Sequence, residues 1–182
     1  DSPLSDFFKK HKVTFKPHEG HIDLYYKGEL QPLEDEFRYG GGNIYYLRSR
    51  LGYNKSQDYC VNGFAFRSYL EKNQYFSLLS YCPELVGNIE SLLDIHGMST
   101  DYYNNSKYYC IEYLIPMTDV IFDMGYPPET VNEKTVEFLH QAILRLYDEW
   151  RGSNFECDEN LILRLSDDAC VKPEWFVKAE EL

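Results

Sequence analysis

The sequence predicts an α+β fold in one domain, residues 1–182, with a mostly antiparallel sheet packed by two main helices. Three observations predict it: strand-like runs recur through most of the chain, two segments carry a helical apolar period, and the order is mixed rather than βαβα. At 182 residues and 43% hydrophobic the chain can bury one full core. Aromatics at 16%, with 17 Tyr, 11 Phe and 2 Trp, exclude a disordered chain.

In chain order, "SPLSDFFKKHK" reads as a short helix with Ser2 as N-cap and Pro3 at the first helical position. In "HIDLYYKGEL", Ile22, Leu24 and Tyr26 alternate with His21, Asp23 and Tyr25, a strand period closed by a Lys27-Gly28 turn. "NIYYLRSRLGYN", "YCVNGFAF", "QYFSLLSYC" and "SKYYCIEYLIP" are β-branched and aromatic runs between Gly, Asn or Pro, and are expected as strands. The first main helix is expected over 83–96, with Leu85, Val86, Ile89, Leu92, Leu93 and His96 on one face and Gly97 as its stop. The second is expected over 131–151. Thr130 and Glu133 form a capping box, Val136, Leu139, Ile143, Leu146, Tyr147 and Trp150 form its apolar stripe, and Gly152 ends it. "NLILRLS" then reads as a strand, and "KPEWFVKAEEL" as a short helix or terminal arm.

Charge is uneven. Residues 1–100 carry 11 basic and 13 acidic groups, net −2, and residues 101–182 carry 7 and 17, net −10. Such a field repels nucleic acid and anionic lipid and attracts cationic partners, so a basic protein is the expected partner and neither duplex nucleic acid nor membrane is. No segment approaches the roughly 18 uncharged apolar residues of a membrane span. Cys60, Cys82, Cys110, Cys157 and Cys170 are odd in number and lack a CxxC pair, and read as reduced core thiols of a cytoplasmic protein. The alternative is a secreted protein. It rests on an N-terminal Asp1 and two glycosylation tripeptides, Asn54-Lys55-Ser56 and Asn104-Asn105-Ser106.

Four constellations could carry chemistry. In "FRYGGGNIYYLRSR", the acid-free stretch from Phe37 to Gln57 offers Arg38, Gly40, Gly41, Gly42, Asn43, Arg48 and Arg50 to a phosphate or nucleotide. It matches neither a P-loop nor a dinucleotide fingerprint, and reads first as a loop or hairpin. His18, Glu19, His21 and Asp23 contain metal-ligand types, but without HExxH spacing and around a Gly20 turn where side chains need not converge. Glu137 and His140 have Glu-x-x-His spacing but no second such helix, so a polar helix face is expected. No nucleophile motif is present, and neither a catalytic residue, a metal nor a cofactor is expected.

The fourth constellation is the acidic half itself, where carboxylates and tyrosines intermingle: Tyr102, Tyr103, Tyr108, Asp119, Asp123, Tyr126, Glu129, Asp148, Glu149, Asp158, Glu159, Asp167 and Asp168. Tyrosine supplies large contact area at low entropy cost, and the charges steer encounter. The function expected is therefore a non-catalytic inhibitor or neutraliser of a basic partner, like an immunity protein against a nuclease toxin. The alternative is an enzyme or sensor that binds a nucleotide or phosphate through residues 38–55.

Overall fold

The computed structural model describes residues 3–55, 60–152, 160–167 and 169–182. The fold is α+β: helices alternate with short, antiparallel strands distributed over three small sheets. Contacts divide the chain into two compact units, 1–59 with 78–107, and 60–77 with 108–182. Among the described residues no helix is long and apolar enough to cross a membrane.

The first unit opens with α1 (Pro3–Lys10), whose expected cap Ser2 lies outside the described residues. Strands β1 (Val13–His18), β2 (His21–Tyr26) and β3 (Glu29–Leu30) follow as an antiparallel meander in sequence order. Cross-strand pairing runs in register from Val13 opposite Tyr26 to His18 opposite His21. Strand pleating therefore sends Val13 and Leu24 to one face, where both are fully buried, and His18, His21 and Asp23 to the other.

The stretch expected as a loop or strand at residues 37–50 is helical instead. A single turn, α2 (Glu36–Tyr39), capped by the Asp35 carboxylate, leads into α3 (Gly42–Arg50). Gly42 enters α3 with φ +61°, a backbone that L side chains resist. The β-prone Ile44, Tyr45 and Tyr46 do not set the local structure, because Leu47 and Leu51, one helical turn apart, are buried in the core of this unit. Helix α5 (Glu84–Leu93) is the first expected main helix, three residues shorter at its end. Asp94 takes the left-handed conformation there, so His96 lies beyond the helix on the surface. Gly97, expected as a stop, instead precedes α6 (Met98–Asn105). The Glu90 carboxylate accepts from the backbone amides of Gly97 at 2.9 Å, Met98 at 3.1 Å and Ser99 at 2.9 Å, and from the Ser99 hydroxyl. Burial alone would raise its carboxyl, but these donors outweigh it and hold it below the usual range. Phe8, Val13, Leu24, Leu33, Leu47, Leu51, Val86, Ile89 and Met98 form one continuous core.

Helix α4 (Gln74–Tyr81) also replaces an expected strand, and its chain crosses from one unit to the other. Its start is chemical: the Asn73 side chain accepts from the Phe76 amide at 2.8 Å, an N-cap that outranks the aromatic content of the run.

The second unit contains β4 (Asn62–Phe64), β5 (Tyr109–Tyr113), β6 (Ile121–Phe122), α7 (Val131–Arg151), β7 (Ile162–Arg164) and β8 (Phe176–Glu181). The strands pair antiparallel as β4-β7-β6 and β5-β8. "KPEWFVKAEEL" is thus a single 3-10 turn at Pro173–Trp175 followed by a strand. Arg67 joins Glu112 of β5 at 2.7 Å and also pairs with Glu180 of β8, while Lys178 reaches Glu112 at 3.3 Å. Cys60, Cys82, Cys110 and Cys170 form no disulfide with one another; the first three are half-buried and Cys170 is exposed rather than in the core. Cys157 lies outside the described residues.

Candidate partner-binding face

Helix α7 is where sequence and structure diverge most usefully. Its capping box forms as expected: the Thr130 hydroxyl accepts from the Glu133 amide at 3.2 Å, and the Glu133 carboxylate accepts from the Thr130 amide at 2.9 Å. The Thr130 and Glu129 donors hold the Glu133 carboxyl below its usual range. The face turned inward, however, is not the apolar stripe. Lys134 and Arg145 are buried, and between them Phe138 stacks on Phe66 with centroids 5.2 Å apart.

Each buried cation is supplied with acceptors, which is what allows it to be there. Lys134 Nζ donates to the Val120 carbonyl at 2.7 Å, and Arg145 Nε donates to the Ser68 hydroxyl at 2.8 Å with a second bond to the Ser68 carbonyl. The Arg145 guanidinium also lies over the Phe66 ring. These contacts fix the rotation of α7 about its axis. Val136, Leu139, Ile143, Leu146, Tyr147 and Trp150 consequently face outward, from 50% exposed at Tyr147 to 81% at Trp150.

Within this stripe Val136, Leu139, Ile143, Leu146 and Trp150 are separated by steps of three and four residues, a heptad seam, and Leu144 and Tyr147 widen it.

At the N-terminal end the seam runs into an open groove of about 580 Å³ lined by Tyr126, Pro127, Glu129, Glu133, Val136 and Glu137, among others. Tyr126 is 96% exposed. The groove carries three carboxylates, and no cationic side chain lines it among the described residues. Of the residues singled out in the sequence, Tyr126 and Glu129 meet here and Asp123 is exposed nearby along the chain. Glu133, Glu137 and the outward stripe complete the face; the sequence marks them as a cap, a polar helix face and a packing stripe rather than as partner-binding residues.

The other candidates are dispersed. Asp119 is exposed 3.7 Å from Lys172, and Asp167 is exposed 3.8 Å from Arg164. Asp148 and Glu149 are half-buried in the last turns of α7, and Tyr108 packs on Phe76, its hydroxyl pushed up by burial. Asp158, Glu159 and Asp168 lie outside the described residues. Tyr102 and Tyr103 belong to the first unit, where Tyr102 meets Phe7 edge-on and Tyr103 stacks on Tyr81.

The phosphate-binding set does not converge on one point. Arg38, Gly40, Gly41, Gly42 and Asn43 are exposed around the start of α3, but Arg48 is buried and donates to the Leu33 carbonyl at 2.9 Å. Arg50 is held by Glu84. Two of the three arginines thus serve the first unit's own packing. Comparison with protein-family models, with characterised proteins and with solved structures finds no match to this chain.

Proposed function

We propose that this chain is a non-catalytic binding protein that neutralises a basic partner, in the manner of an immunity protein, and that α7 and its adjoining groove are the contact face. The observation that supports it is the juxtaposition of an outward heptad seam with Glu129, Glu133 and Glu137. A contiguous row of exposed large apolar side chains rimmed by polar groups is the kind of surface that marks a protein contact. Carboxylates beside it select a cationic occupant and steer its approach, while Tyr126 and Trp150 are the aromatic anchors that dominate such interfaces.

The probe is a cationic amphipathic peptide with leucines at heptad spacing flanked by lysines, titrated while the fluorescence of Trp150 is followed. Saturable binding that weakens as salt is raised is expected. Leu139→Glu should weaken it by about thirtyfold, the equivalent of ~2 kcal/mol for one central anchor. Binding unchanged by Leu139→Glu, or insensitive to salt, overturns the proposal. So does a concentration-dependent dimer in sedimentation that Leu139→Glu dissolves, because the seam then belongs to a second copy of this chain.

A further inference from the structure

In the first unit we propose that His18, His21 and Asp23 form a binding site for one divalent transition-metal ion of the zinc, nickel and copper class. The hairpin builds the site. A two-residue turn, Glu19-Gly20, with Gly20 at φ +85°, sets His18 directly opposite His21 on the neighbouring strand. Asp23 follows His21 by two residues and so shares its face. Sequence spacing alone does not display this convergence, because it depends on the strand register.

The donor atoms are already gathered. His21 Nε2 stands 3.0 Å from Asp23 Oδ1, and His18 Nδ1 stands 3.5 Å from Asp23 Oδ2. One ligand atom from each of the three residues falls within 4.8 Å of the others. Bonds of about 2.0–2.2 Å to zinc in a tetrahedron place neighbouring donors about 3.3 Å apart, and each imidazole stands near that distance from its own oxygen of the Asp23 carboxylate. The His18 and His21 rings stack with centroids 4.7 Å apart, so His18, 59% exposed at its side chain, must turn to aim its nitrogen at the point that His21 and Asp23 share.

The surroundings resemble a metal site in a second way. Asp23 is buried, and the Tyr53 hydroxyl donates to its Oδ1 at 3.4 Å while the Tyr53 ring lies against His21 with centroids 4.5 Å apart. Outer groups that orient a ligating carboxylate in this way are a regular part of metal centres. Two imidazoles exclude the hard ions Ca²⁺ and Mg²⁺, which take oxygen donors, and favour the borderline ions. Three protein donors leave the fourth position for water.

The test uses the untagged full chain, with its cysteines alkylated so that thiolates do not bind, titrated with Zn²⁺ by calorimetry and with Co²⁺ by visible absorption. One ion per chain and a Zn²⁺-dependent rise in melting temperature are expected. His18→Ala, at an exposed position that folding does not need, should weaken binding at least tenfold and remove the thermal shift. Tyr53→Phe should weaken it about tenfold through Asp23, and His96→Ala, on the open surface, should change nothing. Failure of the alkylated parent chain to bind Zn²⁺, or binding by His18→Ala equal to that of the parent, overturns the proposal.

Discussion

The two units of this chain set their main helices into the interior by different faces. The first, with 10 basic and 13 acidic groups, net −3, closes nine apolar side chains into one core contributed by α1, the meander, α3, α5 and α6. The second, with 8 and 17, net −9, buries Leu70, Val120, Phe122, Leu165 and Trp175, but from its longest helix it takes in Lys134 and Arg145 on hydrogen bonds and leaves the apolar seam outside. A helix that turns its polar side inward does so only when the interior supplies acceptors, and the Val120 and Ser68 carbonyls do that here. The contrast teaches that hydrophobic periodicity identifies a helix more securely than it identifies which side of it is covered.

The sharpest way to break that contrast is to truncate equivalent apolar groups in both units. Leu24→Ala and Ile89→Ala, at fully buried positions, should each destabilise by about 2–5 kcal/mol in denaturant unfolding, through lost transfer energy and the cavity left behind. Ile143→Ala on the outward seam should stay within about 0.5 kcal/mol, as an exposed site does. A cost at Ile143 comparable to that at Leu24 would mean that the seam is covered within the chain's own fold.

A smaller effect tests the polar interior. Lys134→Met keeps most of the side chain's bulk but leaves the buried Val120 carbonyl without its 2.7 Å donor, and should cost about 1–3 kcal/mol by the same measurement. Stabilisation by this substitution would show that the inward cation is a burden rather than the clamp that sets the helix's rotation.

The smallest effect concerns capping and acid, where the two units should behave alike. Glu90→Gln, which removes the charge at the start of α6, should cost about 1 kcal/mol at neutral pH. Glu90 and Asp101 in the first unit, and Glu112 and Glu133 in the second, all have carboxyls held below their usual range. The cause is hydrogen bonds from Lys10 and His11 for Asp101, and from Arg67, with Lys178 after it, for Glu112. Groups lowered in the folded state bind fewer protons there than in the unfolded chain. Their stabilisation is fully present above the ordinary carboxylate range, about pH 4, and is lost as pH falls through the lowered values. Unfolding midpoints measured from pH 6 to pH 2 should decline on this schedule, and Glu90→Gln should flatten the decline.

Local chemistry in the sequence determined several elements outright. The capping box of Thr130 and Glu133 starts α7 because two side chains satisfy each other's amides without help from the rest of the fold, and Gly152 ends it in the left-handed region. The period-two run from His21 to Tyr26 determined a half-buried strand, and the α+β class followed from the mixture of such signals. Only tertiary structure decided α3, whose Ile44 and tyrosines suit a strand until Leu47 and Leu51 are given their partners, whereas the Asn73 cap that starts α4 is local chemistry outweighing an aromatic run. Tertiary structure also decided which side of α7 is hidden, since a hydrogen-bond acceptor presented from residue 68 or 120 is invisible from the helix's own pattern. Strand register was decided the same way, and with it the meeting of His18, His21 and Asp23, because the pairing of β1 with β2 sets which side chains share a face.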